Sequence, residues 1–521
     1  MNFSPLDYVI FIGYIVFIVG LGLWVSREKR GHKKNSSDYF LASKALPWWT
    51  IGASLIAANI SAEQFIGMSG SGFVIGLGIA TYEWTAAITL IVVAKFFLPI
   101  FLKEGIYTMP QLLEIRYDHR VRTGLAVFWL LLYIFVNLTS VLYLGALALR
   151  TIMGIPLMWG ILGLAVFSAL YTIYGGLKAV AWTDVVQVSV LIIGGLVTTF
   201  FALNAVSGGN GVLAGFSDLL QQAPEKFDMI LDKTNPNYKE LPGLGVLLGG
   251  MWMAHFFYWG CNQYITQRAL AAKNIKAAQL GLIFGGYLKI LTPLIVVIPG
   301  IVAFALKADI AKPDEAYPWL LSNFVPTGLK GLAFAALIAA IVSSLSSMVN
   351  STATIFSMDI YKQIIKKEAS ERQLVLTGRL ASAAALIIAV LVAPTLTNLE
   401  QAFQFIQEFT GFISPGIFAI FIFGLFWKKA TANSALWAAA LTIPLSLGIK
   451  ILIPALPFLN RMGVVFLILS AIVVIITLIE SSEDSPKAIK IEKDLFHTDI
   501  VFNVGAIGIF AILAVFYIIW W

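Results

Sequence analysis

Apolar runs of membrane-spanning length recur along the chain, separated by short polar loops. They can be read at roughly 5–26, 47–75, 78–102, 124–150, 155–175, 179–206, 243–267, 277–307, 327–362, 374–394, 398–427, 433–455, 461–480 and 500–520. Each is near the 20 residues that a helix needs to cross a hydrocarbon core. The pattern predicts an all-α polytopic membrane protein of about 14 transmembrane helices.

One run departs from the rest. Residues 52–72, GASLIAANISAEQFIGMSGSG, place Asn59, Ser61, Glu63, Gln64, Gly67, Gly70 and Gly72 in otherwise membrane-grade sequence. Lipid offers these groups no hydrogen bonds, so the run must be surrounded by protein or line a watery cavity. At helical spacing Ala57, Ile60, Gln64 and Met68 share a face. A break around Asn59 and Ser61 would expose backbone carbonyls beside that face. A small-residue packing helix would explain the glycines and serines. It would not call for adjacent Glu and Gln, and Glu costs about 2.5 kcal/mol or more at mid-membrane.

The spans fall into a pattern. The first, with its loop, occupies 1–46; two groups of five helices, 47–206 and 243–427, flank an outer loop at 207–242; three peripheral helices fill 428–521. Five is odd, so two like groups must enter the membrane from opposite sides, as in an inverted-topology repeat. The first run lacks a basic leader and ends in Arg27, Lys29, Arg30, Lys33 and Lys34, so it is expected to be retained. Basic residues then fall on alternate loops: Arg116, Arg120 and Arg122; Lys178; Arg268, Lys273 and Lys276; Lys362, Lys366, Lys367 and Arg372; Lys428 and Lys429. The positive-inside rule makes those loops cytoplasmic and puts both termini outside.

Composition agrees with this reading: 59% of residues are hydrophobic and 12% charged, against about a quarter charged in a soluble domain. The net charge of +7 then reports topology, and nucleic acid is not an expected partner. Cys261 is the sole cysteine, which excludes an internal disulfide or a cysteine metal cluster. No phosphate-binding glycine loop occurs, and no nucleophile with base or metal-ligand set is evident, so neither ATP use nor enzymatic chemistry is expected.

Two constellations remain. Ala340, Ser343 and Ser344 follow at i, i+3, i+4 on one run, with Ser346, Ser347, Ser351, Thr352 and Thr354 behind them. A hard cation wants several oxygen ligands, and a hydroxyl pair opposite the broken carbonyls of Ala57 and Ile60 would supply them for sodium. Equally, these hydroxyls could bond back to carbonyls four residues earlier. Asp184 in AWTDVVQ could be a helix cap or a site residue. The second constellation, Gln64, Glu83, Asn137, Lys289 and Gln407, mixes acceptors, amides and an ammonium. Sugar hydroxyls both donate and accept, and a pyranose has an apolar face on which Tyr258 could stack. An amino acid would more naturally use a helix N-terminus. Lys289, in mid-span, needs a partner such as Glu83 or Glu63. Gly260 marks an expected break in the run at 243.

At these residues the chain resembles the sodium/solute symporter family. The likeness rests on ASLIAANISAEQFIGMSGSG, YIFVNLTSVLYLG, YGGLKAVAWTDVVQ, NQYITQRALAAK, AAIVSSLSSMVNSTATIF and AFQFIQEFTGFISPG, and covers most of the length. It implies the leucine-transporter-type fold, a five-plus-five inverted repeat with flanking helices, in a bacterial inner (plasma) membrane. It implies sodium-driven symport of a galactose- or glucose-like hexose by alternating access. Another small solute, or a transporter-like sensor, is the alternative. By position, the sodium ligands would be the carbonyls of Ala57, Ile60 and Ala340 and the hydroxyls of Ser343 and Ser344. Substrate contacts would fall on Gln64, Glu83, Asn137, Lys289 and Gln407, with Glu63, His255 and Tyr258 beside them. Tyr258 and Trp259 match the inner gate, and Met68, Tyr82 and Phe403 the outer one. Two positions depart from the family's galactose pattern, Ala86 for a serine and His255 for an asparagine. Next to Lys289, His255 is expected to be neutral. Expected partners are sodium, the sugar, the lipid bilayer and, as one arrangement, a second copy in a homodimer.

Overall fold

The computed structural model describes residues 4–27, 34–396, 402–492 and 494–521. Lys29, Arg30 and Lys33 of the first basic group lie outside them. The described chain is helical, with no strand beyond an isolated bridge between Leu46 and Ala272. Eleven described helices are long and apolar enough to cross a membrane, from Pro5–Val25 to Ile500–Ile519.

The runs read at 47, 243 and 398 are interrupted. Trp48–Asn59 ends where Ile60 turns extended (φ −74°, ψ 112°), and a wide π-type turn, Glu63–Met68, follows. This is the break expected around Asn59 and Ser61. The second run proceeds through Leu244–Leu248, Met251–His255 and a wide turn Phe256–Cys261 before Gln263–Leu270. Its extended residue is Asn262 (ψ 124°), not Gly260. Asn262 can hold that position because its side chain accepts the Tyr133 hydroxyl and the Tyr264 N–H, so it caps the helix it starts. The third run comprises Ala402–Gly411 and Ser414–Phe426.

Among the described spans the most enclosed is Leu329–Ile365, with 94% of its most apolar stretch buried. Its neighbour Leu177–Val206 approaches closely because the contact is made of small residues. A Cβ on Gly194 would lie 2.5 Å from the Ala336 Cβ, the close packing that membrane helices use in place of a hydrophobic driving force. At its N-terminal end the span Leu329–Ile365 is tied to the first helix. Asp7, almost fully buried, accepts the N–H groups of Gly328 and Gly331 at 2.8 Å each. A carboxylate there satisfies orphan donors at a helix start.

Three of the cations that marked cytoplasmic loops are buried structural groups. Arg116 donates to the carbonyls of Gly424, Trp427 and Lys428 at 2.7, 2.9 and 3.1 Å, closing the end of Ser414–Phe426. Arg122 reaches Asp359 at 2.7 Å and also pairs with Glu114. Arg268 is wholly buried. Charge counting assigned these residues a side of the membrane and missed that each also fastens two helices.

Helix Ile275–Ala305 crosses the second half of the first broken run with backbone against backbone: a Cβ on Gly300 would fall 2.0 Å from the Ser69 carbonyl oxygen. Gly300→Val should therefore destabilise the protein by about 1–3 kcal/mol, measured by thermal unfolding in detergent. Gly163→Val, where nothing lies within 4 Å of the added carbon, should leave the transition in place.

Candidate functional site

The geometry of the first break explains Gln64. In an unbroken helix the Ser61 N–H would go to the Ala57 carbonyl; here it donates to Gln64 Oε1 at 2.9 Å, and the Ser61 hydroxyl donates to the same oxygen at 3.1 Å. The side chain four residues past Ile60 thus caps the gap and leaves carbonyls facing inward. Across from them stands the serine pair. Ser344 Oγ donates to the Ala58 carbonyl at 2.9 Å and lies 3.4 Å from that of Ile60. Among the described residues no side chain donates to the Ala57 or Ala340 carbonyl.

Ser343 turns the other way, donating to Asp184 Oδ1 at 2.6 Å. Asp184 is not a cap: it sits well inside Leu177–Val206, fully buried. Its second oxygen accepts the Ser54 hydroxyl at 2.5 Å and lies 3.5 Å from the Arg268 guanidinium. Arg268 also donates to Ser54 at 3.1 Å, to the Tyr264 carbonyl and to the Ser347 hydroxyl. Of the hydroxyls on this helix, Ser347, Thr352 and Thr354 do bond back one turn, whereas Ser343 and Ser344 reach across to other helices. The pair that sequence left undecided is thus free of its own helix and gathered with carbonyl and carboxylate oxygens, a donor set for a hard monovalent cation.

Beside this lies a cavity of about 60 Å³ lined by Asn59, Glu63, Gln64, Met68, Tyr82, Glu83, Ala254, His255, Tyr258, Trp259, Lys289, Phe403, Gln407 and Thr410. The structure therefore brings together every expected substrate and gate residue except Asn137, which sits in the wide turn Leu132–Leu138 and whose buried side-chain oxygen has no hydrogen-bond partner among the described residues. The extra residue in such a turn rotates what it carries relative to a regular helix.

Lys289 is the electrostatic centre of the cavity. Fully buried, it pairs with Glu83, donates to the Asn59 side-chain oxygen and holds its ammonium 5.1 Å from the centre of the Trp259 ring. Asn59 in turn donates to the Tyr258 hydroxyl at 2.9 Å, which also receives the Tyr264 hydroxyl at 2.6 Å. The two broken helices are thus stitched together through Asn59, a residue sequence reading noticed at the break without assigning it a contact. The Thr85 hydroxyl lies 2.7 Å from His255 Nε2. On the other side, Tyr82 meets Phe403 edge-on at 5.3 Å, and Gly67 is bare so that Phe403 can approach, since a Cβ there would lie 2.7 Å from the Phe403 Cβ. Glu408, beside Gln407, points away to Lys450 and Arg461 at 2.8 Å each.

Comparison with known proteins is consistent across sequence and structure. The profile of the sodium:solute symporter family matches residues 39–441. A sodium/glucose cotransporter of Vibrio parahaemolyticus is 53% identical, the match covering 99% of this chain and 98% of that one. Sodium/myo-inositol cotransporter 2 of Mus musculus is 34% identical over 87% of this chain and 70% of its own. Among solved structures, a Na⁺-coupled sialic acid symporter in a substrate-bound outward-open state superposes with a TM-score of 0.80 at 24% identity, over 93% of this chain and all of that one. A nucleobase-cation-symport-1 family transporter in a closed conformation gives 0.57 at 14% identity, over 87% and 98% of the two chains.

The Lys289–Glu83 pair should behave as a unit. Lys289→Met or Glu83→Gln alone leaves a buried charge unpaired, with a loss of about 3–5 kcal/mol; the double variant should recover most of it. Thermal unfolding of the three purified variants gives the coupling, and simple additivity would show that the pair does not share its charge.

Proposed function

Because the chain belongs to the sodium:solute symporter family, we propose that it is a secondary active transporter that uses the inward flow of sodium to carry a hexose of the galactose or glucose type across the bacterial inner membrane. The observation that carries the reading is the adjacency of two unlike sites along one broken helix. The carbonyl and hydroxyl oxygens at the break suit a hard cation, and the amide, carboxylate and ammonium groups of the cavity suit a polyhydroxylated ring. The sugar assignment draws on the sodium/glucose cotransporter at 53% identity, ahead of the myo-inositol cotransporter at 34%.

In this reading the three interrupted runs join the eleven intact spans, making about 14 crossings with both termini outside. The groups at 47–206 and 243–427 form the inverted repeat, each opening with a broken helix. Sodium sits between the Ala57, Ile60 and Ala340 carbonyls and the Ser343 and Ser344 hydroxyls, which rotate their hydrogens away and present lone pairs. The sugar takes hydroxyl contacts from Gln64, Glu63, Glu83, Asn137, Lys289 and Gln407. Met68, Tyr82 and Phe403 close the outer side, and Tyr258 and Trp259 the inner. Asn59 links the compartments: Ala58 and Ile60, on either side of it, offer the carbonyls that face Ser344, while its side chain holds Lys289 and Tyr258. Filling the cation site fixes that stretch of backbone, which fixes the groups that read the sugar and gate its exit.

Uptake into proteoliposomes should depend on sodium and on membrane potential. One charge crossing 100 mV is worth about 2.3 kcal/mol, or about fiftyfold accumulation of a neutral sugar. Ser343→Ala with Ser344→Ala should abolish that accumulation; unchanged sodium dependence in the double variant would remove the serines from the site. A second expectation concerns the two departures from the galactose pattern. His255→Asn with Ala86→Ser should shift preference toward galactose in competition against glucose, and an identical ranking in both proteins would show that neither position reads the sugar.

A further inference from the structure

The contacts of Thr85 fix which nitrogen of His255 carries the proton. Thr85 Oγ1 lies 2.6 Å from the Thr81 carbonyl oxygen and 2.7 Å from His255 Nε2, with both residues buried. A hydroxyl has one hydrogen. Given to the Thr81 carbonyl, it leaves the Thr85 oxygen as an acceptor, and Nε2–H completes a second bond. Given to Nε2, it sets two oxygen atoms 2.6 Å apart with no hydrogen between them and satisfies one contact in place of two. In a buried site the unmade bond is the costly one, so the proton resides on Nε2.

The ring lines the solute cavity, and with Nε2 committed to Thr85, what it has left to offer is the bare lone pair of Nδ1. We propose that Thr85 is a positioning residue that makes His255 an obligate acceptor toward the solute, so that the chain selects a substrate hydroxyl that donates at that position. An asparagine there would both donate and accept; this chain has narrowed the choice. The inference rests on the sugar reading above and deepens it, because it names the hydrogen-bonding sense in which one ring hydroxyl is read.

Fluorine replacing a hydroxyl keeps its size and can accept but not donate. The test is competition for sodium-dependent uptake in proteoliposomes by the parent hexose, by its deoxy analogues and by its deoxyfluoro analogues, each position in turn. At one ring position the deoxyfluoro sugar should compete about tenfold or more worse than the parent, as badly as the deoxy sugar. In Thr85→Val the ring is free to place its proton on Nδ1, and the fluoro analogue should recover relative to the deoxy one. Thr85→Ser, which keeps the hydroxyl, should retain the wild-type pattern; if the valine variant does not fold, His255→Asn, whose amide can donate, should restore competition by the fluoro analogue at that one position and at no other. The proposal is overturned if fluoro analogues compete like the parent at every position, or if Thr85→Val folds and leaves the pattern unchanged. If no hexose competes at all, the sugar reading fails and this inference with it.

Discussion

A polypeptide that leaves the helix inside a membrane exposes N–H and carbonyl groups that lipid cannot satisfy, each worth several kcal/mol. The break at Ile60 is possible because Gln64 reaches back to take the Ser61 N–H and hydroxyl, and because Ser344 comes across from another helix to meet the freed carbonyls. Everything central to the protein is arranged around that exchange. The same break turns Asn59 toward Lys289 and Tyr258, and the second half of the run is crossed at close range by Gly300 against Ser69. The cavity and the proposed cation site share a wall because both are lined by residues at the break.

Buried charge follows the same logic. Lys289 with Glu83, Arg268 with Asp184, and Arg122 with Asp359 are three ion pairs joining different helices. None is a bargain in stability by itself, since desolvating two ions offsets most of their attraction. Their value lies in geometry: an ammonium paired on one side with Glu83 and Asn59 still lines the cavity. Arg268 does the equivalent work behind the serine pair, holding Asp184 beside Ser343.

Much of this was legible in the sequence, for reasons that are themselves physical. Apolar runs fix the spans because hydrocarbon thickness does. Asn59, Ser61, Glu63 and Gln64 announced a break because nothing else justifies them in lipid, and Lys289 announced a partner for the same reason. What stayed hidden depended on side-chain direction. The sequence could not say whether Ser343 faced the break or Asp184, that Asp184 lay inside a helix and not at its end, or that the second break fell at Asn262 and not at the more permissive Gly260. Arg116, Arg122 and Arg268 read as loop charges because basic residues near a cytoplasmic end look alike whether they meet water or cap a neighbouring helix. Thr85 stands out in the sequence as a polar residue on an apolar helix, but nothing there points it at His255.

In the proposed mechanism a cation at the break and a sugar in the cavity stabilise the same arrangement of one backbone segment. Such coupling is reciprocal by thermodynamic necessity. Calorimetric titration of the purified protein with sugar in sodium and in a sodium-free buffer of equal ionic strength, and with sodium in the presence and absence of sugar, measures it directly. The account predicts that sodium tightens sugar binding and that sugar tightens sodium binding by the same factor, about 5- to 150-fold. Sugar affinity that is the same with and without sodium would contradict it.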